Sequence, residues 1–195
     1  EIPLVKQHLS DQIWAVRGQG TGAVRHDTLT GESRKLQVSP STAETARMGF
    51  ATVSRFFPSV TDVLGDISDE LVRLALGPLP PGGTLCFEDQ YPSTGGQLHG
   101  LFSGADRFVA DLRPLLKPIA DERGEAMAHC CHPYDVCTAL IAEESGVVVT
   151  APTGGELRAP LDCETNVPWV GYANESIRRE LEPVLQSILQ ERNLI

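Results

Sequence analysis

The sequence is poor in basic residues. Its 195 residues include 16 Lys and Arg against 26 Asp and Glu, which gives a formal net charge of −10 at pH 7. Proteins that bind a nucleic-acid backbone need clustered Lys and Arg, so we expect no nucleic-acid partner. No apolar run reaches the roughly 18–20 residues that span a bilayer, and no secretory signal pattern is recognisable. We therefore expect no membrane partner either.

The number and the spacing of the cysteines also argue against a disulfide framework. Their number, five, is odd, and Cys130, Cys131 and Cys137 crowd one short stretch. Such usage is typical of a reducing compartment, so we expect a cytoplasmic protein. With 41% hydrophobic and 22% charged residues, the composition is that of a globular chain. We expect a single domain over residues 1–195, with a hairpin, helix and sheet region to about residue 90 and an αβ region after it.

Strand and helix patterns alternate along the chain, which predicts an α/β class with a layered α+β sandwich. Residues 13–16 look like a strand and lead into glycines at 18, 20 and 22. A dinucleotide-binding loop would need a helix directly after these glycines. The chain instead runs on to the strand-like "KLQVS". We therefore predict a β-hairpin here.

Several further elements can be predicted from local patterns. "DISDELVRLALG" indicates an amphipathic helix that begins near Asp66, buries Leu71 and Leu74, and ends at Gly77. "TLCFED" is typical of a buried strand, and residues 167–172 of another. Residues 2–5 read as though they already lie in a strand. Residues 41–44 resemble a capping box, whereas residues 49–53 favour a strand.

The last segment, "NESIRRELEPVLQSILQERN", predicts a helix capped by Asn174. Asparagine is a preferred N-cap residue. Apolar residues follow it at helical spacing and form one stripe. These are Ile177, Leu181, Val184, Leu185 and Ile188.

Potential metal ligands are concentrated in the stretch "AHCCHPYDVC". A structural zinc site usually shows two ligand pairs separated by a loop, whereas this stretch is one cluster. Buried, inert thiols are the favoured interpretation of Cys130 and Cys131, and Cys137 fits a small residue packed in the following helix. A zinc site and a thiolate–imidazole pair with His129 or His132 stay open as alternatives. No G-x-S-x-G nucleophile motif is present.

Two places could bind a ligand. Asp135 lies where a helix begins after Pro133, so it could cap that helix or hold a hard cation; spacing alone favours the cap. Residues 93–96, Ser-Thr-Gly-Gly, form a second helix start with free backbone N–H groups. Such a start suits an anion or a sugar hydroxyl, and it equally suits an ordinary turn with an N-cap.

Four segments together resemble the inositol monophosphatase superfamily, which includes fructose-1,6-bisphosphatase-like enzymes. The first is "IWAVRGQGTGA" with "KLQVS", and the second runs from residue 93 through Gly104 to "DRFVAD", ending at Asp111. The third, Tyr134-Asp135 followed by "VCTALIAEESGVVVTAPTGGEL", is the most specific. The fourth is "GYANESIRREL". The resemblance covers nearly the whole chain.

The resemblance implies the C-terminal part of the αβαβα fold of that superfamily. It implies a Mg²⁺-dependent phosphomonoester hydrolase, with two or three Mg²⁺ ions, that acts on a sugar or inositol phosphate. It makes Asp135 the catalytic carboxylate, a metal ligand and a substrate contact. It assigns substrate contacts to Ser93, Thr94, Gly95, Gly96 and Asp111. Homodimers are common in such families, so a homodimer is expected as well.

The sequence departs from the family pattern in its central motif, Asp-Pro-Leu/Ile-Asp-Gly-Thr. Neither this motif nor the glutamate upstream of it is present, and Asp66, Asp69 and Glu70 fit a solvated helix start instead. Asp111 stands for a more usual glutamate and Tyr134 for a tryptophan.

One carboxylate among neutral oxygens binds Mg²⁺ poorly. We therefore expect the C-terminal portion of a longer phosphatase, weakly active alone, with an N-terminal segment supplying the remaining metal ligands. The alternative is a non-catalytic remnant, a binding or dimerisation module of the same fold.

Overall fold

The computed structural model describes residues 7–127 and 129–195. The expected strand at residues 2–5 lies outside them. Seven strands are β1 (Leu9–Ala15), β2 (Thr21–Asp27), β3 (Ser33–Lys35), β4 (Phe50–Val53), β5 (Asp106–Asp111), β6 (Val148–Thr150) and β7 (Trp169–Tyr172). Five α-helices are α1 (Thr61–Leu76), α2 (Thr94–Phe102), α3 (Lys117–Glu122), α4 (Ala139–Ser145) and α5 (Glu175–Glu191). Within the described ranges, 3₁₀ turns span Arg113–Leu116 and Asp135–Thr138.

The described residues form four layers. The central sheet has the order β4-β5-β7-β6, with β4 and β5 parallel and the remaining pairs antiparallel. Successive residues of β5 point to opposite faces, so Phe108 and Ala110 join a core with α1 and α5, whereas Val109 joins one with α2 and α4. The β1-β2-β3 sheet packs beyond α4. This arrangement confirms the predicted α+β layering.

The predicted hairpin is confirmed. Strands β1 and β2 pair antiparallel from Leu9 with Asp27 to Ala15 with Thr21. Gly18 and Gly20 both have positive φ, which glycine adopts at little cost. A strand follows the glycines, so a dinucleotide loop is not formed. The backbone N–H groups of Gly18 and Gly20 donate instead to the Glu144 carboxylate, at 2.6 and 2.8 Å.

The predicted start of α1 was wrong, because the helix begins at Thr61, more than a turn before Asp66. The predicted apolar face was partly wrong as well, since Leu74 is 52% exposed while Leu71 is buried. Ser68 points inward and donates to the Glu88 carboxylate at 2.8 Å. The buried face of α1 therefore includes this polar side chain.

Two other local predictions fail for tertiary reasons. In "TLCFED" only Leu85 is buried. The segment runs along the edge of β4 and makes a single bridge, between Phe50 and Phe87. Residues 41–44 do not form a helix, because the Asn174 side chain donates to the carbonyl groups of Ser41 and Ala43. The strand favoured for residues 49–53 is present as β4.

The C-terminal helix matches its prediction closely. Asn174 caps α5, and its side-chain oxygen accepts from the N–H groups of Ser176 and Ile177 at 2.8 and 3.1 Å. The predicted stripe faces the core, with Val184 only partly buried. In the described part of the chain, none of the helices has both the length and the apolar character that crossing a membrane would need.

Asn174 thus stabilises two segments at once, and we expect Asn174→Ala to lower the free energy of unfolding by about 1–2 kcal/mol. Asn174→Asp keeps the capping oxygen but loses the two donations to residues 41 and 43. It should fall between wild type and the alanine variant. Urea unfolding measures both. Equal losses for the two variants would show that the cap contributes nothing.

Candidate ligand pocket around Asp135

A cavity of about 210 Å³ opens where α2 begins and the Asp135–Thr138 turn starts. Three kinds of side chain line it. Ser93, Thr94 and Asp135 supply oxygen atoms. The remaining lining side chains include the aromatic and basic residues Phe56, Phe57, Tyr134, Arg113, His129 and His132. We call this cavity the Asp135 pocket.

Asp135 is held by the loop that precedes it. Its Oδ2 accepts from the backbone N–H of His132 at 2.9 Å and lies 3.6 Å from His132 Nδ1. No side-chain oxygen caps the 3₁₀ turn, so the cap interpretation was wrong. The carboxylate side chain is 34% exposed and lines the cavity. Beside it, the rings of Tyr134 and His132 stack with centroids 5.3 Å apart.

The start of α2 forms the capped turn that the sequence offered as one of two interpretations. Ser93 is the N-cap, and its Oγ accepts from Gly96 N at 3.0 Å. Ser93 and Thr94 also line the Asp135 pocket, whereas Gly95 and Gly96 do not. Gly96 faces a different cavity, where an added Cβ would overlap the Tyr91 ring. The structure therefore brings Ser93, Thr94 and Asp135 together and leaves the two glycines aside.

Asp111 is separated from the pocket by Arg113. The carboxyl group is fully buried and accepts from Arg113 Nε at 2.8 Å and from Nη2 at 2.7 Å. Arg113 Nη1 donates to the His129 carbonyl at 2.6 Å. Its guanidinium lies 4.4 Å from the Phe56 ring centroid. Asp111 cannot reach a ligand while this bidentate pair is intact.

Arg113 is the residue that sequence reasoning missed. Burial alone would lower its pKa, but the hydrogen bonds and the charge of Asp111 outweigh burial and raise the pKa. The only signal in the sequence is an arginine two residues after an acid at the end of a buried strand. The strand ends at Asp111, and Leu112, with φ −97° and ψ −2°, turns the chain so that Arg113 lies beside the carboxylate.

The cysteines are thiols in the described part of the chain. Burial raises the pKa of Cys130 to about 11 and that of Cys131 to about 12, which agrees with buried, inert thiols. Cys137 is exposed, so its predicted packing was wrong. Within residues 7–127 and 129–195, no three His, Cys, Asp or Glu side chains are grouped to hold a metal.

The side chains in the Asp135 pocket do not fit a Mg²⁺ ion by themselves. Mg²⁺ needs an octahedral oxygen shell and is usually bound through one or two carboxylates plus substrate phosphates. Among the described residues, Asp135 is the only carboxylate lining the pocket, and Asp111 is neutralised by Arg113. The basic Arg113 side chain also lines the pocket and disfavours a cation there.

A second cavity, of about 480 Å³, runs along another side of α2. Asp89, Asp106 and His99 line it together with Tyr91. Burial, with the charge of Asp89 as a smaller cause, raises the pKa of Asp106 to about 6. The ionised form of Asp106 is therefore disfavoured in the folded protein.

No protein-family model and no curated protein match this sequence. Several solved structures do match it. SuhB of Mycobacterium tuberculosis matches with a TM-score of 0.51 at 13% identity, over 87% of this chain and 60% of its own. The MJ0109 gene product, an inositol monophosphatase–fructose 1,6-bisphosphatase, matches with a TM-score of 0.51 at 12% identity, over 93% and 71%. An inositol monophosphatase from Anabaena (Nostoc) sp. PCC 7120 gives 0.49 at 13% identity, over 87% and 64%.

These likenesses show the fold alone. The described residues adopt the fold of the inositol monophosphatase superfamily, as the resemblance in sequence implies. The chain spans less than two thirds of the Anabaena and Mycobacterium tuberculosis proteins, at 64% and 60% of their lengths.

Removing Arg113 alone should destabilise the protein strongly. Arg113→Met leaves the Asp111 carboxylate buried and unpaired, a change that costs about 3–5 kcal/mol in buried ion pairs. The double variant Asp111→Leu with Arg113→Met removes both charges and should recover most of the loss. Urea unfolding of the two variants measures this. A double variant as unstable as the single one would mean that Arg113 acts through packing on Phe56.

Asp106→Asn should stabilise the protein near neutral pH. The folded-state pKa of about 6 exceeds the ordinary 3.8, so the folded protein binds more protons between these values and its stability falls as pH rises through them. Asparagine avoids that loss. In monovalent salt, the advantage of Asp106→Asn in melting temperature should grow from about pH 4 to about pH 6 and then level off. Asp66→Asn, at an exposed carboxylate, removes the same charge and is the matched control for long-range electrostatic effects.

Proposed function

We propose that this chain is the substrate-recognising part of a phosphomonoester hydrolase of the inositol monophosphatase type, and that the Asp135 pocket binds a sugar or inositol phosphate. The observation that carries the proposal is that Ser93, Thr94 and Asp135, far apart in sequence, line one cavity. The fold supports it, since the MJ0109 gene product is an inositol monophosphatase–fructose 1,6-bisphosphatase.

The chemistry of the pocket suits a polyol that carries an anionic group. Asp135 can accept hydrogen bonds from ligand hydroxyls. The N–H group of Thr94, the first of α2, has no partner inside the helix and favours negative charge. The stacked rings of Tyr134 and His132 offer an apolar face for the carbon side of a sugar ring. A cavity of about 210 Å³ limits the ligand to a small molecule.

We propose that hydrolysis is Mg²⁺-dependent, with Asp135 as one metal ligand, and that the other ligands come from a segment outside this chain. The pocket residues alone do not fit the ion, so this chain by itself should bind its ligand and hydrolyse it weakly. Asp111 then positions Arg113 instead of contacting the substrate. The thiol cysteines fit a cytoplasmic location. Only the resemblance in sequence supports a homodimer.

One observation favours the alternative of a non-catalytic binding module. The Asp111–Arg113 pair places a buried cation in the lining of the pocket that would have to hold the metal ion. A protein that never assembled a metal site would tolerate this arrangement. Both functions use the same pocket and differ in whether phosphate is released.

Calorimetric titration of this chain with myo-inositol 1-phosphate and fructose 1,6-bisphosphate tests the pocket. We expect Asp135→Ala to weaken binding about tenfold or more, because a charged acceptor is lost. Asp121→Asn, at a surface carboxylate paired with Lys117, is the matched control and should bind as wild type does.

Phosphate release with Mg²⁺ tests the hydrolase in the same samples. We expect release by this chain close to that of Asp135→Ala. Substantial release by this chain alone, abolished in the variant, would contradict the missing-ligand argument. Ligand titrations without saturable heat would contradict the pocket assignment itself.

A further inference from the structure

The cavity along α2 is lined by two acidic side chains that have no cationic partner. We call it the α2 groove; it passes Gly96, Gly100 and Ser103 and is lined by Asp89 and Asp106. Neither carboxylate has a hydrogen-bond or ion-pair partner among the described residues. Four other acids are, by contrast, paired with arginines, in Asp11–Arg25, Asp62–Arg123, Glu88–Arg55 and Asp111–Arg113. The groove therefore holds negative charge that the protein itself leaves unbalanced.

Gln97 provides an independent sign of a missing partner. It is 2% exposed and lines the same groove. Its Nε2 donates to Ser54 Oγ at 2.7 Å, while its Oε1 is buried and has no partner among the described residues. A buried carbonyl oxygen without a donor is costly and is normally satisfied. A ligand that brings N–H donors into the groove would satisfy it.

The glycines of α2 shape the groove for such a ligand. An added Cβ at Gly100 would overlap the Asp106 carboxyl group, and one at Gly96 would overlap the Tyr91 ring. Both side chains therefore lie directly against the helix. Tyr91 is 56% exposed, so one wall is an aromatic ring open to a ligand. Carboxylates, an amide oxygen and an aromatic ring are the groups that bind ammonium in proteins.

An organic cation fits these observations better than a metal ion. A metal needs several ligands converging on one point, and no three His, Cys, Asp or Glu side chains are so grouped in the described ranges. The volume of about 480 Å³ also exceeds what one ion and its water would fill. Two carboxylates along one groove suit a molecule with two separated positive groups.

We propose that the α2 groove binds a small aliphatic diamine or polyamine through Asp89, Asp106 and the Gln97 carbonyl oxygen. The site is separate from the Asp135 pocket and does not depend on the function proposed for that pocket.

Calorimetric titration of the full chain with putrescine and spermidine, in low salt with EDTA, tests the proposal. We expect saturable binding by wild type that weakens about tenfold or more in Asp106→Asn and in Asp89→Asn, since each removes one charged acceptor. Asparagine is close in shape to aspartate, and circular dichroism confirms that each variant folds. Asp66→Asn removes the same charge from an exposed site on α1 and should bind as wild type does.

Three results would overturn the assignment. Binding of neither amine by wild type would show that the groove has no such ligand. Equal weakening in Asp66→Asn would show attraction to the net negative charge only. Two results together would identify a metal site. Ca²⁺ or Mg²⁺, without EDTA, would bind saturably to wild type and not to Asp106→Asn, and the amines would bind no better than butylamine.

Discussion

The Asp111–Arg113 ion pair sets the character of the Asp135 pocket. It lies at the end of β5, and both side chains are buried, with distances of 2.7 and 2.8 Å between their polar atoms. Charges taken out of water are tolerated only when their hydrogen bonds are satisfied. The pair satisfies this condition through the His129 carbonyl and through the Phe56 ring, which covers the guanidinium. The loop that leads to Asp135 is thereby tied to the central sheet.

The Asp111–Arg113 pair also bears on how the fold of this chain is related to its chemistry. The layers match those of inositol monophosphatase structures, yet the acid at the end of β5 faces an arginine of its own chain. Asp135 lines the pocket itself and keeps a partly exposed carboxylate. The Asp111 carboxylate is therefore engaged inside the fold, whereas the Asp135 carboxylate is open to the pocket. A shared fold does not by itself fix the chemistry of the site.

The sequence predicted those elements whose signals are local. The β1–β2 hairpin, the start of α2 and the Asn174-capped helix depend on residues close together in the chain, and each was found. The start of α1 was wrong because the helix begins at Thr61, ahead of the acidic residues, and the strand at "TLCFED" was wrong because that segment makes only one bridge to the edge of β4. In the site, the resemblance pointed to Ser93, Thr94 and Asp135, which do meet. Arg113 was missed because its role exists only once Asp111 is buried.

In the turn between β1 and β2, a carboxylate of the same chain occupies an anion-binding position. Two backbone N–H groups at Gly18 and Gly20 converge as they would on a phosphate, and Glu144 of α4 fills that position. These hydrogen bonds lower the pKa of Glu144, so the carboxylate stays ionised under ordinary conditions. A free phosphate would have to compete with a tethered anion that is always present. The glycine turn that looks like a cofactor-binding motif therefore links the β1-β2-β3 sheet to α4 through the Glu144 carboxylate.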